Sequence, residues 1–254
     1  VKWLPELASD LYYEFGSLVT HIDGLGTVGA NITFISYGEF SRTKDGPIPV
    51  GTFESFDIAG TICYGSSLTN KLKGGISTKI IYSRLSDQGQ GAEQGSGTST
   101  GLALDFGLLY LHSPRLTFGM AVTNIGPKMT YIDAAQADPL PTNLALGFAY
   151  KLKETDYLRW LITAEGNKLL PNTDGPFSQE LREVVWNGGM EITYANIIAG
   201  RVGYINDQEG GIKTITLGAG LSLLKRFRFD FAYIPSNSNV ALANTLRVSM
   251  AIGL

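Results

Sequence analysis

The sequence has one cysteine, two histidines and little charge, with Asp, Glu, Lys and Arg making up 17% of its 254 residues. A single cysteine, Cys63, excludes an internal disulfide. It lies in a stretch that alternates like a strand, where a free thiol serves as a small packing group. The net charge of -3 leaves no basic footprint, which argues against nucleic acid as a partner. No uncharged apolar run reaches the roughly 18 residues that a membrane-spanning helix needs. Val1-Lys2-Trp3-Leu4-Pro5 has neither the basic nor the apolar region of a secretory signal peptide. The missing initiator Met is expected of a processed or incomplete chain. His21 and His112, expected at strand ends, belong to no nucleophile motif, and metal-ligand spacing is absent. The sequence therefore predicts a protein that is not an enzyme, with no catalytic residue, metal or cofactor.

What is present is glycine, 31 residues of it, and a persistent period of two. From Leu242 to the end, even positions read Leu, Asn, Leu, Val, Met, Ile, Leu, and odd positions carry Thr, Arg, Ser, Ala and Gly. Such alternation puts an apolar row on one face of a strand and small or polar groups on the other. Comparable strands are predicted at 11–20, 26–37, 53–66, 72–84, 101–112, 116–124, 143–152, 157–167, 188–194, 197–205, 211–223 and 226–234.

Short connections alternate with longer ones. The stretch 38–52 is polar and holds Lys44-Asp45-Gly46-Pro47, so it reads as turns. The stretch 85–100 is rich in Gly, Ser and Gln and reads as a mobile loop. In 168–187, Phe177, Leu181 and Val184 stand at helical spacing. Tight turns at one end, longer loops at the other and an apolar face on every strand mark an outer-membrane barrel. Tyr82, Tyr110, Tyr150, Tyr194, Tyr204 and Tyr233 fall at or near strand ends, where an interfacial girdle belongs.

The predicted fold class is all-β: a transmembrane antiparallel β-barrel, one domain over 1–254, with short periplasmic turns and long extracellular loops. About thirteen strands are visible and bacterial barrels take an even number, so a strand is expected before Val1, giving about fourteen in the complete protein.

Two sets of candidate functional residues follow. Lys79, Asp105, Glu165, Glu191, Arg201, Arg228, Asp230 and Arg247 are inward positions, expected to form lumen ion pairs, a polar conduit or a docking surface. Asn31 and Asp57 share that face. Trp3, Leu4, Leu7, Phe177, Leu181 and Trp186 are large apolar groups in segments expected outside the bilayer. There they either settle among the loops and headgroups or anchor a protein partner. The 86–100 loop is one that a partner could order.

Several stretches together resemble one family. They are Trp3-Leu4-Pro5-Glu6-Leu7, Tyr12-Tyr13-Glu14-Phe15, Asp23-Gly24-Leu25-Gly26-Thr27, Ser36-Tyr37-Gly38-Glu39 and Asn124-Ile125-Gly126. Leu140-Pro141-Thr142-Asn143-Leu144, Asn167-Lys168-Leu169-Leu170 and Leu242-Ala243-Asn244-Thr245-Leu246-Arg247 complete the ordered set. The family is PorV (LptO), the outer-membrane proteins of bacterial type IX secretion in Bacteroidota, with PorQ and the fatty-acid transporter-like barrels as relatives. The resemblance implies a fourteen-stranded barrel embedded in outer-membrane lipid that acts as a cargo shuttle. Its implied partners are the SprA/Sov-type translocon, the C-terminal signal domains of secreted cargo and a PorU-type sortase. The resemblance also implies an N-terminal part, with a first strand and plug-like segment, that is expected to precede Val1. The alternative is a fatty-acid transporter-like barrel for uptake of hydrophobic small molecules.

Overall fold

The computed structural model describes residues 11–43, 47–86, 96–132, 137–172, 177–224, 226–235 and 244–253, apart from the side chains of 172 and 177–179. Thirteen strands run in chain order: β1 Tyr12–Ile22, β2 Gly26–Thr43, β3 Pro49–Ser67, β4 Leu72–Ser86, β5 Gly97–Leu111, β6 Leu116–Ile125 and β7 Asn143–Glu154. They continue as β8 Leu158–Leu169, β9 Val185–Tyr194, β10 Ile198–Asp207, β11 Ile212–Leu223, β12 Phe227–Ile234 and β13 Thr245–Ile252, with a short helix, α1, at Phe177–Arg182. The strands form one sheet in sequence order from β1 to β13, as antiparallel strands joined by short connections do.

The sheet curls into a barrel wall. Tyr13 to His21 of β1 and Arg247 to Ile252 of β13 line the same cavity, although ten or more strands separate them in the sheet. Among the described residues β13 pairs only with β12 and β1 only with β2, so the last strand does not close directly onto the first.

Register fixes which face each residue takes, because a slip of one residue would invert a whole strand. Lys79 lies opposite Thr61 and Ala103, and Arg201 opposite Glu191 and Gly218, which places the polar rows inside. The alternate residues point out, and they are apolar and exposed: Ile62 is 72%, Ile80 58% and Met250 58% accessible. The described buried apolar residues are only Ala103, Met129, Leu140, Ala199 and Ile234. This inverts the arrangement of a water-soluble sandwich and matches a wall solvated by lipid on the outside.

The tight turns 23–25, 68–71, 112–115, 155–157 and 195–197 all fall at one end, as do the end of β11 and the start of β12. At 195–197, Ala195 (φ 51) and Asn196 (φ 57) both adopt the left-handed conformation that a two-residue hairpin turn demands. Tyr64, Tyr110, Tyr150 and Tyr194 point outward near this short-turn end, and Tyr12, Tyr82, Tyr204 and Tyr233 near the other. Two aromatic girdles therefore frame the apolar band. At the long-loop end, ring contacts of 5.8, 5.7 and 6.1 Å run through Tyr12, Phe34, Phe56 and Tyr82, stitching β1 to β4.

Three expected loops are shorter than their composition implies. The polar stretch 38–52 is mostly strand: β2 reaches Thr43 and β3 starts at Pro49, with a bulge between Ser36 and Gly38. Stacking of Phe40 on Phe53 at 5.7 Å and the Arg42 guanidinium over Phe53 carry this ladder past the polar residues. In 85–100, β4 extends to Ser86 and β5 starts at Gly97, paired through Ser83 with Ser99 and Arg84 with Thr98. Trp186 belongs to β9, not to the loop before it, because Val185 to Asn187 pair with both β8 and β10 or with β8 alone.

Candidate functional site

The long β6–β7 connection turns back into the barrel. Met129 and Leu140 pack with Ala103 on the inner wall, joined by Ile81 and Tyr131. Met129 and Asp138 exchange a pair of backbone hydrogen bonds of 2.8 and 2.9 Å, so the segment carries its own short bridge. The Tyr131 hydroxyl donates to Ser83 Oγ at 3.0 Å. Glycine at 101 is what admits the segment, since a side chain there would meet Met129 at 3.1 Å. Nearby, the Tyr37 hydroxyl donates to Asp57 at 2.7 Å, which gives Asp57 a wall-linking role across the β2 bulge.

A polar latch holds the root of this segment. Lys79 Nζ lies 3.0 Å from Asp105 Oδ1 and donates to Asn124 Oδ1 at 2.6 Å. The Asn124 backbone N–H donates to Asp105 at 2.8 Å, and its side-chain amide donates to the Pro141 carbonyl at 3.1 Å. Thr142 Oγ1 donates to the Asn124 carbonyl at 2.8 Å. Asn124 takes φ 60, a left-handed conformation that asparagine tolerates better than most residues. Gly126 follows because any side chain would strike the Leu102 carbonyl and Leu140. The sequence-distant stretches Asn124–Gly126 and Leu140–Asn143 are thus one structure.

A second cluster spans β8, β9, β10 and β12 near the short-turn end. Arg201 bridges two carboxylates, Nε to Glu191 at 2.7 Å and Nη1 to Asp230 at 2.7 Å. Arg159 reaches Glu191 at 3.2 Å and Arg228 reaches Asp230 at 2.8 Å. The Arg201 side chain lies over Gly218 and Gly220, where a Cβ would come within 3.2 Å and 3.0 Å of it.

The expected lumen network therefore divides. Lys79 and Asp105 form the latch, and Glu191, Arg201, Arg228 and Asp230 form the second cluster. Glu165 instead accepts from the Asn167 amide at 2.6 Å, and Asn167 accepts from Asn143 at 3.2 Å. Arg247 lines the cavity on β13 without an ion pair among the described residues. Sequence reasoning missed Arg159, whose inward parity on β8 was the available signal, and Asn124, whose role depends on a backbone conformation that no local pattern reveals. Asn31 lies on the inner face opposite Thr61 and Ser17, outside both clusters.

A cavity of about 2800 Å³ is lined by residues of β1, β2 and β4 to β13 and reaches Glu191, Arg201, Arg228 and Asp230 of the second cluster. At the long-loop rim, Lys168 Nζ grips α1 and the turn after it, at 2.6 Å from Glu180 and 3.0 Å from Glu183. Leu181 is half-exposed on this moored helix. Trp186 points outward at the start of β9, half-exposed and lying across Gly166, a position suited to the membrane interface. Trp3, Leu4, Leu7 and the Phe177 side chain lie outside the described residues. His21 and His112 both sit at the short-turn end; His21 Nδ1 and Thr27 Oγ1 are 3.0 Å apart.

The model of a family described as "Type IX secretion system protein PorV" matches residues 1–175 of this chain. No curated protein matches by sequence. Among solved structures, the toluene transporter TodX of P. putida aligns with a TM-score of 0.56 at 13% identity, over 87% of this chain and 74% of that one. A TodX deltaS2S3 mutant, a monoaromatic hydrocarbon channel, aligns with a TM-score of 0.58 at 15% identity, over 88% of this chain and 77% of that one. At such identities the likeness is one of fold: this wall is an outer-membrane barrel wall.

Proposed function

The chain belongs to the PorV family of type IX secretion proteins, and from that premise we propose that it is a non-enzymatic outer-membrane carrier of secreted cargo. It takes C-terminal signal domains as they leave the SprA/Sov-type translocon and passes them to a PorU-type sortase at the cell surface. The family match carries this reading. In it, the long-loop end faces outward from the cell, and α1 presents Leu181 from a rim held in place by Lys168. A moored helix suits recognition because little ordering remains to oppose binding. Trp186 flanks the same rim.

The test is capture of a purified cargo signal domain by the intact protein. Leu181→Asp together with Trp186→Ala is expected to weaken capture at least tenfold while the barrel still folds. Undiminished capture and secretion by that double variant would remove the rim from the carrier surface.

A second reading rests on a separate observation, the cavity of about 2800 Å³ inside a TodX-like wall. It is uptake of hydrophobic small molecules through the lumen. That reading predicts apolar ligand retained in the purified barrel and no dependence of uptake on Leu181.

A further inference from the structure

The arginine cluster at the short-turn end holds more positive charge than its own carboxylates neutralise. Arg159, Arg201 and Arg228 face two acids, Glu191 and Asp230. Arg159 and Arg228 keep 41% and 55% of their side chains exposed, so the surplus charge faces open space rather than packed protein. The surplus is also placed. The three arginines line a small cavity of about 160 Å³ together with Thr193, Asn196 and Ser222. Arg159 Nε is buried without a hydrogen-bond partner, and its outer guanidinium nitrogens carry the fork. Deeper in, both oxygens of Glu191 and of Asp230 are engaged by the cluster, so the acids are satisfied while the cationic side has donors to spare.

Small residues make the room. Ala199, Gly220 and Ser222 carry the wall past the arginines, and Gly220 in particular lets the Arg201 guanidinium lie flat against β11. Forked guanidinium donors around a small cavity match the geometry of an oxyanion better than that of a cation or a neutral group. Glu191, Arg201 and Arg228 border both this recess and the large cavity, so the two lie side by side.

We propose that Arg159, Arg201 and Arg228 form an oxyanion-binding site at the short-turn mouth of the barrel, shaped for a phosphate or carboxylate group. Its donors are the guanidinium groups, with Ser222 and Asn196 at the turn side. The oxyanion arrives either free or as the headgroup of an amphiphile whose chain lies in the large cavity.

The experiment is calorimetric titration of the full chain, in nonionic detergent, with inorganic phosphate, hexyl phosphate and hexanol. Saturable binding of both phosphates, without binding of hexanol, is expected. Arg159→Gln and Arg228→Gln should each weaken binding at least tenfold, with Arg159→Lys recovering part of it. Hexyl phosphate binding ten times tighter than phosphate identifies an amphiphile headgroup; equal affinities identify a free oxyanion. No saturable binding of either phosphate, or binding unchanged in both glutamine variants, overturns the proposal. Heat-modifiable gel migration reports folding, and should Arg228→Gln not fold, the half-exposed Arg159 decides the question alone.

Discussion

At the scale of single residues, position inside the barrel decides what a side chain is worth. Asn124 closes the latch with its amide, its backbone N–H and its carbonyl at once. Asn124→Ala removes two side-chain hydrogen bonds and leaves alanine at φ 60, so a loss of about 1–3 kcal/mol is expected. Urea titration of refolding into vesicles measures it, and a change below the error of that titration would deny the latch its role. Gly220 is the opposite case, valuable for what it lacks. Gly220→Val puts a side chain within 2.9 Å of Asp230 Oδ1 and 3.0 Å of the Arg201 guanidinium. It is expected to destabilise the barrel far more than Gly200→Val, since nothing stands within 4 Å of Gly200. Equal midpoints for the two variants would contradict the close approach.

At the scale of elements, the inward β6–β7 segment is held by contacts whose partners lie on several strands. Leu140→Ala should cost about 2–4 kcal/mol, the usual penalty for emptying a packed apolar site. Because the wall strands keep their own ladders, the loss should appear locally. Amide hydrogen exchange is expected to accelerate at 129–132 and 137–142 while β3 to β5 stay protected; uniform acceleration of the wall would refute local docking. This docking was not legible in the sequence, which predicts no strand between 124 and 143. Leu140 and Met129 are isolated apolar residues in an irregular stretch, and their partner Ala103 is a small residue on the polar parity of β5. The strands were legible almost one for one, because each satisfies a period of two over its whole length. Their ends were not, because cross-strand pairs such as Phe40 with Phe53 extended the ladders into polar stretches.

At the scale of the whole molecule, the outer surface is the hydrophobic one. Ile62, 72% exposed and flanked by Ala30 and Thr78, stands near the middle of the apolar band. Ile62→Arg should cost about 2–4 kcal/mol in vesicles, the depth-dependent penalty at a bilayer midplane. Ser249→Arg, facing the cavity from β13, should cost well under half of that. The comparison is made by refolding titrations in the same lipid, and similar penalties would mean that the two faces share one solvent.

The sequence by itself determined the strands, their inward and outward faces and the inside-out distribution of apolar groups, because these follow from periodicity and short-range turn chemistry. It also placed Lys79, Asp105, Glu191, Arg201, Arg228 and Asp230 on the inner face. Only the tertiary structure decided which of these meet, that Arg159 joins them while Glu165 and Arg247 stand apart, and that residues around Asn124 and Leu140 close on one another. Parity along a strand assigns a face, whereas contact across the lumen depends on the register of every pair of strands between, and no single stretch of sequence contains that sum.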